Sequence, residues 1–157
     1  MIKMHKKYNK GIAVLPAVIV LGIMAVTIAV AIMAVSFNET LTSQGLSQSS
    51  RAISYAEAGA RDALIKITRN KNYICSNTDC YSLDFITNGC NTSNGCAKIS
   101  VSAGLGTNSD PKVITSKGIM KNATRTLQVS VVLDGGTSAE VDQLGNITNT
   151  TWTELTN

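Results

Sequence analysis

Cys75, Cys80, Cys90 and Cys96 carry the clearest chemistry in this sequence. Four sulfurs so close in the chain can hold a metal or pair as disulfides. Their C-x4-C-x9-C-x5-C spacing contains no C-x-x-C, and no histidine lies nearby to supply nitrogen, so zinc fits poorly. In an oxidising compartment the same cluster reads as disulfides. Three pairings are open. Cys75–Cys80 with Cys90–Cys96 is the expected one, because each then encloses a short polar turn.

Little else in the chain could do chemistry. The only histidine is His5, among the lysines of the N-terminus, so the body has no Ser-His or Cys-His arrangement. No phosphate-binding or dinucleotide fingerprint occurs. Asp134, Glu140 and Asp142 could surround a calcium ion, and Asp79 and Asp84 could act as a carboxylate pair, but both sets sit in segments that read as plain polar turns. The expectation is a non-enzyme with no cofactor, no metal site and no small-molecule substrate.

Charge narrows the partners. Lys3, Lys6, Lys7 and Lys10 fall in the first ten residues with no acid among them, and they account for the whole formal charge of +4. The remainder is balanced, so the basic isoelectric point is no nucleic-acid footprint and no nucleic acid is expected as partner.

These residues must be positioned by a long helix. No charged side chain occurs between Lys10 and Glu39, and the apolar run "GIAVLPAVIVLGIMAVTIAVAIMAV" ends at Val35. About 20 apolar residues cross a bilayer as a helix, whereas a cleavable signal peptide has an apolar stretch of roughly 7–15. Lysines before the run and Glu39 after it place the N-terminus in the cytoplasm and the body outside. Beyond it, Leu46, Ile53, Ala56, Ala60, Ala63, Leu64 and Ile67 continue a helical period from Ile53 onward. Glu57–Arg61 and Asp62–Lys66 have the favoured order for exposed ion pairs. Gly45 and the serines of "TSQGLSQSS" predict a bend or loosening there.

The period then changes. Ile99, Val101 and Ala103, and later Leu127, Val129, Val131 and Leu133, alternate with polar residues, as in a half-buried sheet. "KVITSKGIM" and "ATRTLQVSVVLDG" form an antiparallel pair turning at Lys121-Asn122, with "GLGTNSD" as the preceding turn. One short strand is expected at Ser82–Ile86. After Gly136 either Trp152 folds back onto the sheet or the last dozen residues fray. The fold class is α+β: a long N-terminal helix packed on a small antiparallel sheet. Its parts are a basic leader (1–11), a transmembrane helix (12–36), an amphipathic continuation (37–71), a disulfide-bonded loop (72–97), the sheet (98–134) and a polar tail (135–157).

Lys10-Gly11 before an uninterrupted apolar helix, Thr27 within it, Glu39 beyond it and "AISYAEAGARDAL" together resemble type IV pilins. The likeness is nearest to the PilX-type minor pilins and covers residues 9–67; the downstream "ITSKGIMKNATRTLQVSV" also looks like the pilin strand pair. The resemblance implies cleavage by prepilin peptidase between Gly11 and Ile12 and N-methylation of Ile12. Membrane lipid and other pilin subunits would be the partners, with a surface filament as the destination. It departs at Pro16, where major pilins usually carry a glutamate thought to pair with a neighbour's N-terminal amine. Proline suits a helix start, since its missing N–H would lack a partner anyway. That departure implies a minor, initiating or tip-proximal subunit. Two other readings remain open: a single-pass anchored binding domain that never polymerises, and a secreted protein cut near "AIMAVS".

Overall fold

The computed structural model describes residues 14–134 and 144–156. Its elements are α1 (Val14–Arg69), β1 (Tyr81–Asp84), β2 (Asn94–Val101), β3 (Lys112–Met120), β4 (Ala123–Leu133) and β5 (Ile147–Leu155). The chain divides into two compact units, Met1–Ser43 and Gln44–Asn157. Each is described by itself.

In the first unit α1 is apolar on every side, and its bulky residues from Val14 to Phe37 are each 51–72 % exposed. Pro16 sits in the first described turn of α1, and the helix continues past it without interruption. The expected loosening at "TSQGLSQSS" does not interrupt the helical hydrogen bonding: α1 remains α-helical through Gly45. Propensity is a weak signal against the cooperativity of a helix already propagating on both sides.

In the second unit the same helix buries one stripe: Ala52, Ala56, Gly59, Ala60, Ala63 and Ile67. These side chains are small, so backbone approaches backbone. A Cβ on Gly118 of β3 would collide with the Ala52 carbonyl and lie 2.6 Å from the Ala56 nitrogen. A Cβ on Gly59 would lie 2.5 Å from the Ser116 hydroxyl and 2.9 Å from Ala97 Cβ. Of the residues whose period from Ile53 onward predicts this face, Ala56, Ala60, Ala63 and Ile67 are buried on it and Ile53 and Leu64 are half-buried; Ala52 and Gly59 join them without being part of that pattern.

The sheet is an antiparallel meander of order β1-β2-β3-β4-β5. Ile99, Val101, Ile114, Leu127, Val129, Val131 and Leu133 face the helix and form the core with its alanines. The tail does not fray. β5 pairs along β4, with Trp152 opposite Val129 and Glu154 opposite Leu127, so the Trp152 alternative holds. The β3–β4 turn falls at Lys121-Asn122 as expected, with Met120 opposite Ala123. β2 begins at Asn94, inside the segment expected to be loop, and a register shift lies between Asn94 and Cys96. Gly95 between them has φ +86°, a conformation that glycine adopts without a Cβ penalty.

The helix end is closed from two sides. Lys66 and Arg69 stand in the last turn, where cations favour the exposed carbonyls. The Asn70 nitrogen donates to the Lys66 carbonyl (2.9 Å), and the Gly145 nitrogen, arriving just before β5, donates to the Thr68 carbonyl (2.9 Å).

Candidate functional site

Two features could serve function: the exposed apolar stretch of α1 and the surface of the head that follows it. The first has the composition to sit in an apolar medium. Every backbone group between the helix termini is bonded within the helix, the arrangement that lipid demands. Its one hydroxyl between Val14 and Val35, Thr27, donates to the Met24 carbonyl at 2.9 Å and so presents no unpaired donor. Thr40 and Thr42 do the same toward Ser36 and Asn38. α1 is long and apolar enough to cross a membrane. Gly11 and Ile12, the expected processing and methylation positions, and the lysines of the leader lie outside the described residues.

The four cysteines are all paired, as Cys75–Cys80 and Cys90–Cys96. The first pair ties the segment after α1 to the residue that precedes β1, while Cys75 and Val101, at the end of β2, exchange backbone hydrogen bonds of 3.0 and 2.8 Å. The second spans the β2 irregularity at Gly95. Asp84 lies beside it and accepts a hydrogen bond from the Cys90 nitrogen at 2.7 Å. Asp84, Cys90 and Cys96 are close enough together for a metal, but disulfide sulfurs offer no thiolate. Asp79 and Asp84 are not brought together as a carboxylate pair, since Asp79 instead meets Lys98 at 3.1 Å. Of the calcium candidates, Glu140 and Asp142 lie outside the described residues.

Scans against protein-family models, curated proteins and solved structures match this chain to none of them.

Several polar contacts in the head were not legible beforehand. Asp62 and Lys66 form the expected pair at 3.1 Å, but the Lys66 ammonium also lies 3.3 Å from the centre of the Tyr81 ring. Burial, and then the neighbouring Asp62 carboxylate, push the Tyr81 hydroxyl well above its ordinary pKa of 10.0. Glu57 and Arg61 do not pair. Arg61 instead sits over Trp152, 5.8 Å from the ring centre, a contact that exists only because β5 is present. Arg125 and Glu154 tie β4 to β5 at 3.0 Å.

Lys112 is the least expected residue. It is 2 % exposed, on the helix-facing side of β3, with its ammonium donating to the Tyr73 carbonyl at 3.2 Å. Burial holds its pKa below the ordinary 10.5. The signal was available: Lys112 opens the alternation Ile114, Ser116, Gly118, Met120, all of which face inward.

Proposed function

We propose that this chain is a type IV pilin-like structural subunit of the minor, initiating or tip-proximal kind, which turns over no substrate. The observation carrying the proposal is the continuity of α1. One unbroken helix begins with a stretch whose apolar residues are all exposed and ends with a small-residue stripe packed on an antiparallel sheet. A stretch that bare can sit in lipid before assembly and against sister helices afterward, with Gly22 and the alanines allowing close approach. Its partners would be membrane lipid, prepilin peptidase and other pilin subunits.

Orientation follows from charge. The lysines preceding the apolar run would hold the leader at the cytoplasmic face, leaving the disulfide-bonded head outside, where cysteines stay oxidised. Cleavage between Gly11 and Ile12 would remove those lysines and free the helix to leave the bilayer. Pro16 supplies no carboxylate for a neighbour's N-terminus, in keeping with a subunit that has none ahead of it.

The test is the mass of the mature N-terminus isolated from membranes containing prepilin peptidase. An N-methylated Ile12 is the expected result. An intact leader would favour the anchored binding domain, and a terminus near Ser36 the secreted protein. Abundance as the main component of purified filaments would overturn the minor-subunit assignment.

A further inference from the structure

On the head, residues of α1 and the β3–β4 turn enclose an open groove of about 290 Å³, lined by Gln44, Ser47, Gln48, Arg51, Met120 and Lys121. Its chemistry is one-sided. Arg51 offers a planar fork of N–H donors, Lys121 a point charge, and the two glutamines and the serine add neutral donors; no acid lines it. Among the described residues neither Arg51 nor Lys121 forms a salt bridge, so both charges are available to the groove.

Lys121 is also held in place. It is the first residue of the two-residue β3–β4 connection, at φ +53°, a region where glycine or asparagine costs less. Its nitrogen donates to the Ser93 carbonyl at 2.6 Å, fixing the turn against the disulfide-bonded hairpin. A long cationic side chain stands where glycine would suit the backbone better, and it lines the groove. Arg51 lies one turn beyond Gln48 and two beyond Gln44 on α1, so the three side chains share one helix face.

We propose that this groove binds a phosphate-type oxyanion, with Arg51 and Lys121 as charged ligands and Gln44, Ser47 and Gln48 as neutral donors. A tetrahedral anion with several acceptor oxygens suits a fork, a point charge and amide donors converging on one space. The phosphate could be free or part of an anionic lipid headgroup; the recognition chemistry is the same. This assignment is independent of the filament reading, since it needs only the head.

The experiment uses the isotopically labelled full chain in zwitterionic detergent, titrated with inorganic phosphate and followed by amide chemical shifts. Saturable shifts confined to residues 44–51 and 120–121 are expected, weakening as ionic strength rises. Arg51→Gln and Lys121→Gly should each weaken binding by roughly tenfold or more, the scale of one charge-assisted hydrogen bond. Lys121→Gly relaxes the turn as it removes the charge, so its loss of binding would not reflect misfolding. Shifts with free phosphate assign a soluble source. Shifts only in nanodiscs containing phosphatidylglycerol, and not in phosphatidylcholine alone, assign a headgroup. Absence of groove shifts in both arms, or equal binding by both variants, overturns the proposal.

Discussion

The two parts of α1 invert the usual relation between size and burial. From Val14 to Phe37 the helix carries large branched side chains and buries none of them; from Ala52 to Ile67 it carries mostly alanine and glycine on one stripe and buries them completely. Apolar bulk therefore does not mark the protein's own core. The bulky part meets whatever medium surrounds it, and its gain is area removed from water. In the head, the small residues bring the helix close to the sheet, and the volume is filled from the other side by Ile99, Ile114, Val129 and Val131.

The sharpest way to break this contrast is to separate the parts. A chain starting at Gln44 should move from the detergent to the aqueous phase in phase separation and melt within a few degrees of the full chain. A collapse of the melting temperature would show that the apolar stretch supports the head.

Glycines give the next largest effect. Gly118→Val should cost about 3 kcal/mol or more, because its side chain would be driven into helix backbone that cannot move aside. Gly22→Ala, with nothing within 4 Å of the added Cβ, should leave the head's stability unchanged and favour the helix by about 0.5–1 kcal/mol. Denaturant melts in detergent read both; equal costs would refute the contrast. Replacing Cys90 and Cys96 together by serine should cost about 2–4 kcal/mol and leave the apolar part untouched by helical circular dichroism.

Among the described residues, buried ionisable groups occur in the head's side of the comparison, and they set its pH response. The depressed pKa of Lys112 means that the unfolded chain binds more protons up to 10.5, so stability rises as pH approaches that value. The raised pKa of Tyr81 works oppositely: its contribution is complete below 10.0 and is lost as pH climbs beyond. Lys112→Met should flatten the rise and Tyr81→Phe should flatten the alkaline fall, both read from denaturant midpoints across pH 7–12. Smallest of all, Arg61→Ala should cost about 0.5–1 kcal/mol and change Trp152 fluorescence.

Much of the architecture was legible because it rests on periodicity. The alanine spacing and the alternation in β2 and β4 each bury one face in a repeating way, the apolar run is continuous, and such repetition is visible in one dimension. β5 was ambiguous because "ITNTTWTEL" buries almost nothing: its residues are mainly exposed, so no alternation of polarity records its pairing. Arg61 escaped for the same reason. Its local partner Glu57 was visible at four residues' distance, while Trp152 comes into reach only through the fold. The phosphate groove combines residues 44–51 with 120–121, and no spacing rule connects them. The burial of Lys112 is not legible from its charge, although its place in the strand's alternation points inward.

The strand order has a consequence for how such a chain could be delivered. Each strand lies beside the one made just before it, so a head emerging in chain order behind a retained N-terminus would never have to wait for a distant neighbour to arrive. Every hairpin could close as it emerged, and the final ribbon would find its berth already waiting.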